Sequence, residues 1–154
     1  MLRTVLLLLI ALNTLPVMAE APQGYPFQSF DTAMQQARTE NKPLFVYFGR
    51  YGCGYCEKTN REAFSDNGVR AAYSAHYVLA YVDSESGKRL RLPSGERITE
   101  RELGTRYNAF VTPVFTFMTA DGQPLLRLVG VQRIEDLREA DSKVQQALAK
   151  AGKE

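Results

Sequence analysis

Two cysteines separated by two residues, Cys53-Gly54-Tyr55-Cys56, are the only cysteines in a chain of 154 residues, and they follow closely on the apolar run Leu44-Phe45-Val46-Tyr47-Phe48. That run has no polar alternation, so it reads as a strand buried on both faces of a partly parallel sheet. Gly49-Arg50-Tyr51-Gly52 breaks it, and Glu57 to Glu62, beyond the second cysteine, read as helix. The thiols therefore fall where a buried strand gives way to a helix N-terminus, within one helical turn of each other. With no further cysteine a multi-disulfide framework is excluded, and two thiols plus the distant His76 make a poor donor set for a four-ligand zinc site. The expectation is a redox pair, with no metal and no cofactor other than the Cys53–Cys56 disulfide.

A Cys-x-x-Cys at a helix start brings two sulfurs within bonding reach and gives them unequal chemistry. Orphan N–H groups and the positive end of the helix dipole favour a Cys53 thiolate by up to about 2 kcal/mol, which would move its pKa from about 8.5 to about 7. Cys53 is thus the expected nucleophile. Cys56, one turn further in, stays protonated until it resolves the mixed disulfide formed by Cys53. A structural disulfide closing so short a loop would add little stability, because the entropic benefit grows with loop length.

The first residues run basic, apolar, small: Met1-Leu2-Arg3-Thr4, an uncharged stretch from Val5 to Leu12, then Val17-Met18-Ala19. This is the order of a secretory signal, with residues 1–19 removed and 20–154 left as one domain. An uncleaved anchor is the alternative, but about eight apolar residues fall short of the roughly 20 that a spanning helix needs. Export implies an oxidising compartment, and the C-terminal Ala151-Gly152-Lys153-Glu154 is no retention signal, so a bacterial periplasm is expected. Formal charge +2 and 23% charged residues describe a globular chain without the cation excess that nucleic acid demands.

The remaining pattern predicts a helix over 31–39, capped by Ser29 or Asp31 and stopped at Asn41-Lys42-Pro43. A short helix follows from Asp66-Asn67, then a strand over 77–82, an order that requires a crossover and suggests parallel pairing. Residues 83–101 change to Ser, Gly, Lys, Arg and Pro, with a hairpin insertion near 86–99 around Pro93-Ser94-Gly95. Thr99 and Glu102 form a candidate capping box for a helix ending near Tyr107-Asn108. Val114 to Met118 is a strand, Asp121-Gly122 a turn, Pro124 to Val129 its partner, and Ile134, Leu137, Val144 and Leu148 mark a final amphipathic helix.

With Cys-Gly-Tyr-Cys after a buried strand, Thr112-Pro113 before the next hairpin and Gly130 before a terminal helix, the chain resembles the thioredoxin superfamily over roughly residues 30–148. Lys42 to Phe48 ahead of the cysteines, Asn60-Arg61-Glu62-Ala63-Phe64 after them, and the insertion look most like exported thioredoxin-like proteins of the SoxW type. Gly54-Tyr55 and Thr112 match the disulfide isomerase DsbC. The resemblance implies an α/β thioredoxin fold, a central mixed sheet flanked by helices. It also implies a cis Pro113 beside Cys53, with the backbone around Thr112 pairing with the substrate chain. Three departures stand out. Gly52 replaces the tryptophan usual before the first cysteine, and the chain has no tryptophan. Tyr47 occupies the position, six residues before Cys53, of the buried acid that serves the resolving cysteine. The region ahead of the first helix is too short for the isomerase's dimerisation domain, which favours a monomeric reductant.

Phe45, Tyr47 and Phe48 belong to the strand pattern and are expected in the core, whereas Tyr51 and Tyr55 flank the cysteines in a loop and are candidate partner contacts. His76 reads as solvated or as a local hydrogen-bond donor. Lys88, Arg89, Arg91, Arg97 and Arg101 make the insertion basic; folded over the active site, it would favour acidic partners. The expected function is a periplasmic thiol–disulfide oxidoreductase that reduces protein or small-molecule disulfides. Its expected recharging partner is a membrane electron donor, and the SoxW resemblance implies service to sulfur oxidation. An isomerase or oxidase, and a redox-gated binding module without turnover, are the alternatives.

Overall fold

The computed structural model describes residues 21–152, so the leader expected at residues 1–19 lies outside the described residues. Helix α1 (Phe30–Glu40) buries Phe30, Ala33, Met34 and Ala37 and closes on Asn41 in the left-handed conformation, φ 48°, just before Lys42-Pro43. Ser29 sits at its N-cap position, but its hydroxyl donates to Thr32 Oγ1 rather than accepting a backbone N–H. The Asp31 carboxylate accepts the Thr32 N–H at 3.0 Å instead.

Strand β1 (Leu44–Gly49) is buried along its whole length because it is central: β2 (Val78–Asp83) pairs with it in parallel and β5 (Val114–Met118) antiparallel on the other side. Strand β6 (Pro124–Val129) completes the order β2-β1-β5-β6. The turn into β6 passes through Gly122, φ +86°, where a side chain would be strained. A short bridge from Gln28 to Ala80 extends the β2 edge.

Helices α2 (Gly54–Thr59), α3 (Asn67–His76) and α5 (Ile134–Ala151) pack on the face carrying Phe45, Tyr47, Phe115 and Phe117. The continuous helix expected after the cysteines instead ends in a π-helical turn, Asn60–Phe64, before α3 restarts on the Asp66 cap, whose carboxylate accepts the Val69 N–H at 2.8 Å. On the opposite face lie α1, the insertion and α4 (Glu100–Arg106).

The insertion is a separate two-stranded sheet, β3 (Arg89–Arg91) with β4 (Arg97–Thr99). Leu90, Leu92 and Ile98 join the cluster containing Phe30 and Val82, and the Arg91 N–H reaches Asp31 at 3.3 Å. The hairpin therefore packs on α1, across the sheet from the cysteine cluster, and does not fold over Cys53. The cause is its own alternation: three apolar side chains on one side of the ribbon need cover, and α1 supplies it. The capping box forms as expected, with Glu102 accepting the Thr99 N–H at 2.7 Å and Thr99 Oγ1 accepting the Glu102 N–H at 3.2 Å.

Candidate active site

The last residue of strand β1 is glycine for a steric reason: a Cβ at Gly49 would stand 2.5 Å from the Tyr81 hydroxyl. The chain then turns through Gly52, φ +68°, where the space around a Cβ is open, so backbone conformation alone calls for glycine. This turn sets Cys53 at the N-cap of α2, and Cys53 and Cys56 form a disulfide with Cα atoms 5.2 Å apart.

Two donors converge on Cys53 Sγ: the Cys56 backbone N–H at 3.1 Å and the Thr112 hydroxyl at 3.2 Å. Both cysteines are buried, Cys53 being 2% exposed and Cys56 fully enclosed. Thr112 precedes Pro113 through a cis peptide bond. The Pro113 carbonyl accepts the Gly130 N–H at 2.8 Å. Gln132 then ties the β6 end to the cysteine helix: its side-chain amide donates to the Gly130 carbonyl at 3.0 Å, and its backbone N–H to Thr59 Oγ1 at 3.3 Å. Segments about sixty residues apart are thereby held around one sulfur.

Behind the pair, the Tyr47 hydroxyl donates to Asn60 Oδ1 at 3.0 Å and lies 3.3 Å from the Cys56 carbonyl. The position that the resemblance assigns to a buried acid thus carries, as the sequence shows, a phenol, bonded to the helix that bears Cys56. Asn60, the first residue of the π-helical turn, entered the sequence reading only within the Asn60–Phe64 stretch of the resemblance and not as a site residue, because no pattern of apolar spacing marks where a helix widens.

Tyr51 and Tyr55 are 77% and 69% exposed, on either side of the cysteines in sequence. Sequence reasoning missed two residues that share this character, Phe110 and Val111, at 73% and 62% exposure just ahead of Thr112. Their signal was available: two bulky apolar side chains between a helix end and a proline, with no strand periodicity to bury them. Phe110, Thr112 and Thr105 line a cleft of about 180 Å³ with Arg50, Ser84 and Glu85.

His76 is removed from this chemistry. Its Nδ1 lies 2.9 Å from the Asp141 carboxylate on α5, to which the Tyr77 hydroxyl also donates at 2.7 Å, so it pins α3 to α5. Among the described residues no group of three His, Cys, Asp or Glu side chains is placed to hold a metal ion.

The sequence model of the thioredoxin-like domain matches residues 30–145, which takes in the cysteines, the cis proline and most of α5. The chain belongs to the thioredoxin-like family. Among solved structures, a thioredoxin from Thermus thermophilus is 25% identical, with 78% of this chain and 86% of that one aligned at a TM-score of 0.64. A candidate disulphide isomerase from Bacteroides thetaiotaomicron is 28% identical over 82% of this chain and 95% of that one, TM-score 0.61. The DsbH oxidoreductase, 18% identical over 87% and 92%, has a TM-score of 0.62 and shows the shared fold. A search of curated sequences finds no significant match. This thioredoxin-like protein has the thioredoxin fold and is a thiol–disulfide oxidoreductase with a disulfide-forming Cys-x-x-Cys pair.

Proposed function

We propose that this thioredoxin-like protein is a monomeric periplasmic reductant of the SoxW type, acting on protein or small-molecule disulfides in service of sulfur oxidation. The carrying observation is the asymmetry of the pair: Cys53 Sγ receives two hydrogen-bond donors while Cys56 lies fully enclosed behind it. In the reduced protein those donors stabilise a Cys53 thiolate, which attacks one substrate sulfur and expels the other as a thiolate. Cys56 then gives up its proton, attacks Cys53 Sγ, and releases the second substrate thiolate. Two electrons have passed to the substrate, which takes up two protons, and the Cys53–Cys56 disulfide has formed. A membrane dithiol donor restores the pair, so no bound cofactor is required.

Thr112 has a second part in this scheme. Its hydroxyl serves Cys53, and its backbone, which makes no main-chain hydrogen bond among the described residues, is open to pair with an incoming chain. Tyr51 and Tyr55 supply apolar contact around it.

The two donors to Cys53 Sγ are neutral groups, and by stabilising the thiolate of the reduced protein they raise the reduction potential only moderately; a strong oxidant needs its reduced form stabilised much further, which supports the reading of a reductant. The test is the reduction potential, equilibrated against glutathione and dithiothreitol buffers. The reading expects about −230 to −270 mV, and a value near −120 mV would overturn it. The likeness to the Bacteroides protein favours an isomerase as second reading, for which a value near −180 mV is expected.

A further inference from the structure

The basic residues of the insertion divide into two groups. Lys88 lies 3.8 Å from the buried carboxylate of Glu100, and the Arg101 guanidinium donates twice to the Glu85 carbonyl, at 3.2 and 2.7 Å. Both are used to hold the insertion together. Arg89, Arg91 and Arg97 are not: among the described residues their guanidiniums enter no side-chain hydrogen bond or ion pair, and all three are exposed.

They also share one face. In the hairpin register Leu90 faces Ile98 and both are buried, which turns Arg89, Arg91 and Arg97 to the outside. Arg91 stands directly opposite Arg97. Opposed side chains in an antiparallel pair begin about 5 Å apart, and like charges so placed repel. The neighbouring carboxylates that could relieve this are engaged elsewhere. Glu96 is paired with Arg106, Glu85 lies 3.8 Å from Arg50, Glu102 caps α4, and Asp31 accepts the backbone N–H groups of Thr32 and Arg91. The result is a small outward face with three guanidinium forks that form no ion pair or side-chain hydrogen bond among the described residues, each suited to a bidentate carboxylate.

We propose that the outer face of the β3–β4 hairpin is the docking surface for an acidic segment of a partner protein, with carboxylates bridging Arg91 and Arg97 and reaching Arg89. A membrane fits less well. The turn at the hairpin tip, Pro93-Ser94-Gly95, offers no bulky apolar side chain for insertion, and three cations alone hold a lipid surface weakly. The site is separate from the redox chemistry, since the hairpin and the cysteines lie on opposite faces of the sheet.

The probe is a fluorescein-labelled hexaglutamate peptide, its binding to the full chain followed by anisotropy at low and physiological salt. The triple variant Arg89→Ser, Arg91→Ser, Arg97→Ser is compared with a charge-matched control, Arg38→Ser, Lys143→Ser, Lys150→Ser, whose positions are exposed and lie outside the hairpin. All six side chains are on the surface, and an unchanged melting temperature and insulin-reducing rate verify that each variant folds. The proposal expects salt-sensitive binding that weakens about tenfold in the hairpin variant and less than about twofold in the control. An equal loss in both variants, no binding at all, or arginine-dependent binding to phosphatidylglycerol vesicles but not to the peptide would each overturn it.

Discussion

On one face of the sheet Phe45, Tyr47, Phe64, Tyr73, Tyr77, Phe115 and Phe117 interlock as rings with the two cysteines among them. On the other, Val46, Val82, Val114, Met118, Leu90 and Leu103 make a mainly aliphatic packing beneath α1, α4 and the hairpin. The same strands supply both faces by simple alternation, so the contrast lies in side-chain choice and not in architecture. The aromatic face is directional: Phe45 meets Tyr73 edge-on at 5.0 Å and Tyr47 meets Phe115 at 4.7 Å. Its phenols tie backbone segments together, Tyr73 to the Leu137 carbonyl at 2.8 Å and Tyr25 to the Phe64 carbonyl at 2.9 Å. Burial pushes the Tyr25, Tyr73 and Tyr77 hydroxyls well above the ordinary phenol range, so they remain neutral donors wherever the protein works. A pair of sulfurs that must meet a third at bonding distance is thus mounted on the face whose rings and phenols tie several segments together, and the aliphatic face accommodates the insertion.

The largest break in that comparison comes from removing a ring at its centre. Phe45 is fully buried and contacts Tyr73, Tyr77, Phe115 and Phe117, so Phe45→Ala is expected to cost about 3–5 kcal/mol in urea unfolding. Leu90→Ala, in the hairpin, is expected to cost about 2–3 kcal/mol and to leave the rate of insulin reduction by the folded protein unchanged. A fall in that rate for folded Leu90→Ala protein would dissolve the distinction between the faces. A finer change sharpens it: Thr112→Val keeps the shape of the site and deletes one donor to Cys53 Sγ. A hydrogen bond to a charged sulfur is worth about 1.5 kcal/mol, so the thiolate pKa, read by absorbance at 240 nm in the reduced protein, should rise by about one unit. No rise would mean that the hydroxyl is a bystander.

Much of this was legible in the chain. The unbroken apolar run from Leu44 to Phe48 announced the central strand, Thr99 and Glu102 the α4 cap, and Asp121-Gly122 the last hairpin, because each depends on local chemistry that a few residues encode. What escaped depends on contacts between distant segments. Nothing near Asn60 in sequence shows that it meets Tyr47, and nothing in Thr112 alone shows its hydroxyl against Cys53, since both are set by how β1, α2 and the proline loop converge. The side of the sheet that receives the hairpin was equally hidden. Its alternation fixed which residues point inward, but only the packed α1 fixes where inward is. Counting five cations in the insertion likewise could not separate the two that are spent internally from the three that face outward.

The division of labour between the cysteines is tested most directly with Cys56→Ala protein, reduced and mixed with insulin, the products being resolved by mass spectrometry. The account predicts a stable adduct in which Cys53 Sγ is joined to an insulin chain, and none when Cys53 is replaced by alanine as well. The absence of any adduct from the folded Cys56→Ala protein, or a comparable adduct through Cys56 in a Cys53→Ala protein, would contradict it.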